Sequence, residues 1–120
     1  MSRRTIIAVT LFAGLMLSSS LHAADLPVTP DFKSHVLPIF EAKCVRCHGD
    51  KRRGGKLDMR TVDALRIGGA SGPAFEPGNA QKSLLIELIH YNEMPPRKEQ
   101  PRVTPEELKL LKAWIDGMKK

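Results

Sequence analysis

Apolar positions recur at spacings of three and four in several stretches of the chain, and nowhere is period-two alternation sustained. Phe32, Val36, Ile39 and Phe40 make the first stripe, which runs on to Cys44 and Cys47; this is the pattern of a helix with one buried face. Asp31 precedes the stripe as an N-cap candidate. Pro38 lies within it and has no N–H for the helix ladder, so the pattern predicts a kink, or a regular helix that starts near Pro38. Thr61 to Ile67 predicts a short helix capped by Thr61, with Asp63 in its first turn. Gly68, Gly69, Gly72 and Pro73 end it, and Pro77-Gly78 make another turn. Leu84, Leu85, Leu88 and Ile89 form the stripe of a further helix, capped by Asn79 or Ser83. Residues 92–103 hold Pro95, Pro96 and Pro101, which excludes regular structure there. The last helix opens on Thr104-Pro105-Glu106-Glu107, a capping box with proline at the first helical position. Leu108, Leu111, Trp114, Ile115 and Met118 mark its apolar face. The expected domain is all-α, with three or four helices and long connecting loops.

The N-terminus has a different character. Arg3 and Arg4 precede a 12-residue apolar run from Ile6 to Leu17, and Ser18, Ser19 and Ser20 lead to Leu21-His22-Ala23-Ala24. A charged start, a short apolar centre and small residues at a cut site are the layout of a secretory signal peptide over residues 1–23. A spanning helix needs roughly 20 apolar residues, so an uncleaved anchor is the less favoured reading, and stable membrane insertion is not expected once the signal is removed. Ser2-Arg3-Arg4 also resembles a twin-arginine signal. Export places the mature chain in the periplasm. Residues 24–30, with Pro27 and Pro30, read as a linker, and 31–120 as the folded domain. Cleavage leaves 97 residues and removes two of the 19 basic residues and none of the 13 acids, so the formal charge falls from +6 to +4. The positive charge is scattered rather than set in a stripe with aromatics, which argues against nucleic-acid binding. A domain this small, with one Trp, one Tyr and four Phe of which Phe12 is in the signal, has a thin core unless something fills it.

Cys44-Val45-Arg46-Cys47-His48 is C-x-x-C-H, and its cysteines are the only two in the chain. Two thiols three residues apart on a helical turn can join the two vinyl groups of one haem, with the adjacent imidazole beneath the iron. That spacing is the signature of c-type haem attachment. A C-x-x-C disulfide is a competing reading, and so is a thioredoxin-like redox pair, although the latter wants a βαβ context. A zinc site would need a fourth ligand beside Cys44, Cys47 and His48. For the other face of the iron, Met94 in Glu93-Met94-Pro95-Pro96 is the leading candidate. It lies 46 residues beyond His48, enough chain to run around the haem and return, and the prolines stiffen its loop. His90 is the rival. Met59 lies too near the attachment site, and Met118 belongs to the last stripe. His35 reads as a surface residue.

These residues together resemble the class I c-type cytochromes, and within them the planctomycete-type cytochrome c domain. The resemblance runs through Phe32, Val36-Leu37-Pro38-Ile39-Phe40, Cys44 to Gly49, Gly54-Gly55, Leu57-Asp58 and Arg60. It continues through Gly68-Gly69, Ser71-Gly72-Pro73-Ala74, Pro77-Gly78, Ser83 to Ile86, Met94-Pro95-Pro96, Glu107, Leu111 and Trp114-Ile115. The resemblance implies a small class I cytochrome c fold around one covalent haem c, with its iron on His48 and Met94. It further implies that Phe40 packs near Trp114, that a Pro73 carbonyl on the proximal side fixes the histidine, and that Arg60 meets a haem propionate. Met59 departs from the small polar residue common at its position. The function so implied is electron transfer rather than enzymatic turnover, between an electron donor such as a dehydrogenase and an acceptor such as an oxidase or another cytochrome. The alternative is a haem protein that binds ligands or acts as a peroxidase when Met94 is displaced.

Overall fold

The computed structural model describes residues 29–120; the signal expected over 1–23, and the expected linker as far as residue 28, lie outside the described residues. Four α-helices, α1 (Leu37–Lys43), α2 (Val62–Ile67), α3 (Leu84–His90) and α4 (Pro105–Asp116), account for most of the regular structure. Single turns of 3-10 helix stand at Gly54–Lys56 and Ala80–Lys82. The described residues contain no strand, only three isolated bridges within loops. None of their helices is long and apolar enough to cross a membrane.

The expectation at Pro38 resolves into a change of helix type. Phe32–Val36 is a π-helical turn capped by the Asp31 carboxylate, which accepts from the N–H of Ser34 at 2.8 Å. Regular α-helix then begins at Leu37, with Pro38 in its first turn. The N–H of Leu37 still donates to the carbonyl of Phe32, and Pro38, with no N–H, stands where that five-residue ladder stops. The Asp31 N–H also donates to Nδ1 of His35, at 2.9 Å. Thr61 caps α2 by accepting from Ala64, as the pattern predicts. Asn79 and Ser83 divide the work assigned to one cap. Asn79 caps the 3-10 turn, while Ser83, 1 % exposed, starts α3 and spends its hydroxyl on the N–H of Glu76 and the carbonyl of Asn79. The capping box at Thr104 and Glu107 is complete in both directions.

α1 and α4 enclose the core. Val36, Ile39 and Phe40 meet Leu111, Trp114 and Ile115, all buried. The Trp114 ring is surrounded by Phe75 at 5.2 Å, Phe32 at 5.6 Å and Phe40 at 6.4 Å between centroids. Phe75 has no place in any helical stripe; it comes from the loop after α2, which is held by bonds from Ala74 to Leu65 and from Leu85 to Ala74. On α3 the apolar residues serve two sides. Ile86 is buried in the core, whereas Leu84, Leu88 and Ile89 turn to a cavity.

Candidate functional site

The cavity has a volume of about 340 Å³. α1 delivers its first wall. The helix passes into a turn in which Cys44 and Val45 donate to Phe40, and Cys47 and His48 donate to Cys44, so the motif is one wound unit. Cys44, Cys47 and His48 all line the cavity. Gly49 ends the turn where a side chain cannot fit: a Cβ there would lie 2.4 Å from the carbonyl oxygen of Val45.

The loop that follows folds back onto the histidine. Gly54 donates its N–H to Cys47 at 2.7 Å and accepts Nδ1 of His48 at 2.8 Å. A carbonyl can only accept, so Nδ1 carries the proton and Nε2 keeps its lone pair. This is the tautomer that a metal-ligating histidine needs. The carbonyl of His48 in turn accepts from Met59, at 2.9 Å. Met59 lines the cavity at 2 % exposure, on the histidine's side of it.

The remaining walls are mostly apolar or small, with Glu41, Lys43, Arg46, Glu99 and Gln100 also among the lining residues. Leu84, Leu85, Leu88 and Ile89 come from α3, and Gly54, Gly55, Gly69 and Gly72 supply surface with no side chain. Met94, Pro95 and Pro96 bring in the third side. Thus one cavity gathers two thiols, an imidazole with a free nitrogen and a thioether on largely apolar walls. That donor set fits a covalently held haem, whose ring needs apolar contact and whose iron takes nitrogen and sulfur ligands. No disulfide joins the two cysteines. Burial pushes the Cys44 thiol up to about 12, so it is protonated at neutral pH and poorly suited to act as a thiolate nucleophile. Among the described residues no three His, Cys, Asp or Glu side chains converge on one point.

Residues 44–98 match the family model described as Planctomycete cytochrome C. The matched segment is a planctomycete-type cytochrome c domain. No curated protein and no solved structure matches the chain. A cytochrome c domain implies haem c and its iron, and points to a redox carrier rather than an enzyme. The match opens on Cys44 and reaches past Met94, so all four cavity donors fall inside it.

Two residues carried over from the resemblance stand elsewhere in this chain. Pro73 is exposed and lines a separate shallow depression with Arg66, Phe75 and Lys82; the carbonyl on His48 belongs to Gly54 instead. The 48–54 loop closes so tightly that it supplies its own acceptor. Arg60 does not line the cavity. Its guanidinium binds Asp58, with Nη2 at 2.8 Å, and approaches Asp50 at 3.5 Å. Arg60 thereby lowers the Asp58 carboxyl to about 2. His90, the rival ligand, is exposed at the end of α3 against the Tyr91 ring and does not line the cavity. Met118 is half-buried against the core.

Sequence reasoning passed over a polar network beside the cavity. Lys43, adjacent to Cys44, has a side chain 8 % exposed and pairs with Glu107, the capping-box carboxylate. Its Nζ also donates to the carbonyl of Arg102 at 2.7 Å. Arg46, between the two cysteines, pairs with Glu99 across the cavity rim.

Proposed function

We propose that this cytochrome is exported to the periplasm and carries single electrons between redox proteins, with His48 and Met94 as the two axial ligands of one haem. The observation that carries the reading is the meeting of Cys44, Cys47, His48 and Met94 on one apolar cavity, with Nδ1 of His48 committed to the Gly54 carbonyl. Haem c, when bound, supplies a one-electron iron couple whose potential a methionine ligand raises. The chain's own residues do the rest. Cys44 and Cys47 hold the group as thioethers. His48 presents Nε2, and Gly54 keeps the ring in that tautomer and orientation. Met94 offers sulfur from a loop whose prolines limit its swing. If His48 and Met94 both held the iron, no position would be left for a substrate, which would suit a carrier. The apolar stripe of α3 keeps water from the ring and disfavours added charge there. The partners are a donor such as a dehydrogenase and an acceptor such as an oxidase or another cytochrome.

One observation favours the alternative, a protein whose iron binds an external ligand or peroxide. Met94 is 37 % exposed on a loop without regular structure. The same experiment separates the two. For a carrier, the mature chain has one haem by denaturing mass analysis, the oxidised protein shows the near-infrared sulfur–iron band, and the ferrous form resists carbon monoxide. Met94→Ala abolishes the band, lowers the potential and opens the ferrous form to carbon monoxide; His90→Ala changes none of these. Rapid carbon monoxide binding by the wild type at neutral pH overturns the carrier reading, and a chain that releases its haem in acidified organic solvent overturns the c-type assignment.

A further inference from the structure

The loop that bears Met94 has an unusual hydrogen-bond inventory. Its backbone is fixed on the α3 side, where Glu93 and Met94 donate to the carbonyl of Leu88 at 2.9 and 3.1 Å. Asn92, at φ +62°, makes the turn between them and the helix. Beyond Met94 the chain has nothing to donate, because Pro95 and Pro96 both lack an N–H. That side is held through its carbonyls: the Pro96 carbonyl accepts the N–H of Glu99 at 2.8 Å, while the Pro95 carbonyl needs a donor from elsewhere.

Arg102 provides it. One terminal nitrogen, Nη1, donates to the carbonyl of Pro95 at 2.7 Å and to that of Pro96 at 3.0 Å. Nη2 donates to the side-chain oxygen of Asn92. The three acceptors flank Met94 on both sides. Among the described residues no carboxylate pairs with Arg102, so its guanidinium is devoted to this loop. The residue is itself anchored, since its carbonyl accepts from Lys43, the neighbour of Cys44. The guanidinium therefore ties the methionine side of the cavity to the thiol side.

We propose that Arg102 is a positioning residue for Met94, setting how much of the time its sulfur faces the iron. The inference rests on Met94 as the distal ligand. A planar fork with several fixed donors can hold carbonyls and a carboxamide at once, whereas a lysine ammonium cannot reproduce that geometry. Releasing the fork shifts the loop toward conformers in which the sulfur is withdrawn.

The test uses the full exported chain with its haem attached. Arg102→Ala should retain one covalent haem by mass. It should weaken the near-infrared sulfur–iron band, lower the reduction potential and speed carbon monoxide binding to the ferrous form about tenfold or more. Arg102→Lys should fall between alanine and wild type. Asn92→Gly preserves the positive φ and removes one acceptor, and should speed carbon monoxide binding roughly two- to tenfold. If Arg102→Ala does not mature, Arg102→Lys and Asn92→Gly decide. Variants that lose thermal stability but keep the wild-type band, potential and carbon monoxide rate overturn the positioning role and leave Met94 ligation standing. A wild type that lacks the band overturns Met94 ligation and this inference with it.

Discussion

Trp114→Ala should remove a large part of the domain's stability, and its cost can be worked two ways. The side chain is 4 % exposed. A tryptophan buries roughly 150–250 Å², which at about 25 cal/mol per Å² is on the order of 4–6 kcal/mol. Correcting for residual burial in the unfolded chain brings this to roughly 3–5 kcal/mol. Large-to-small substitutions of buried Trp or Phe also cost about 3–5 kcal/mol, so the two routes agree. A domain of this size has about 5–15 kcal/mol in total. The site cannot collapse easily, because Phe32, Phe40 and Phe75 approach the indole from different elements. The assay is urea unfolding of the holoprotein followed by far-UV circular dichroism, with Trp114→Phe as the near-isosteric control. A double-mutant cycle with Phe40→Ala should give a coupling of about 0.5–1.5 kcal/mol. A loss below about 1 kcal/mol for Trp114→Ala would refute the packing argument.

Thr104→Ala should cost roughly 0.5–2 kcal/mol, because the N–H of Glu107 loses its acceptor; unchanged urea midpoints would show that the cap contributes nothing. Asp58 predicts a pH dependence. Its folded value of about 2 lies below the usual 3.8 through hydrogen bonding to Arg60, so its contribution is present above the unfolded value and is lost as pH falls through about 2. Urea midpoints measured between pH 4 and pH 2 should fall less steeply in Asp58→Asn than in the wild type, and superimposable profiles would sink this assignment.

What the sequence could show was what local rules encode. The meeting of Phe40 with Trp114 came only from the resemblance, whereas the capping box at Thr104 and the caps at Asp31 and Thr61 could be read because caps are repeated local patterns. The donor set at the cavity was legible for the same reason: C-x-x-C-H is one turn, and Met94-Pro95-Pro96 is one tripeptide. Phe75 was not, since it reaches the core from a loop in which spacing has no meaning; its one signal was being a large aromatic amid glycines and prolines. The partner of Nδ1 was assigned to Pro73 and proved to be Gly54, because a carbonyl belongs to every residue and leaves no mark in composition. Arg60 looked free for a propionate, yet Asp58, two residues away, offered the nearer carboxylate. The bonds from Lys43 to Glu107 and to the Arg102 carbonyl were silent because contacts across some 60 residues have no period.

Glu107 closes the capping box of α4 with the same carboxylate oxygen that receives Lys43 from the end of α1. One atom thus serves a local bond and a long-range one. The start of the C-terminal helix is completed only when the segment next to Cys44 is docked against it, and that segment loses its charge partner if the helix frays. Loosening either end therefore removes a contact from the other, so the segment next to Cys44 and the start of the last helix are coupled through one carboxylate oxygen.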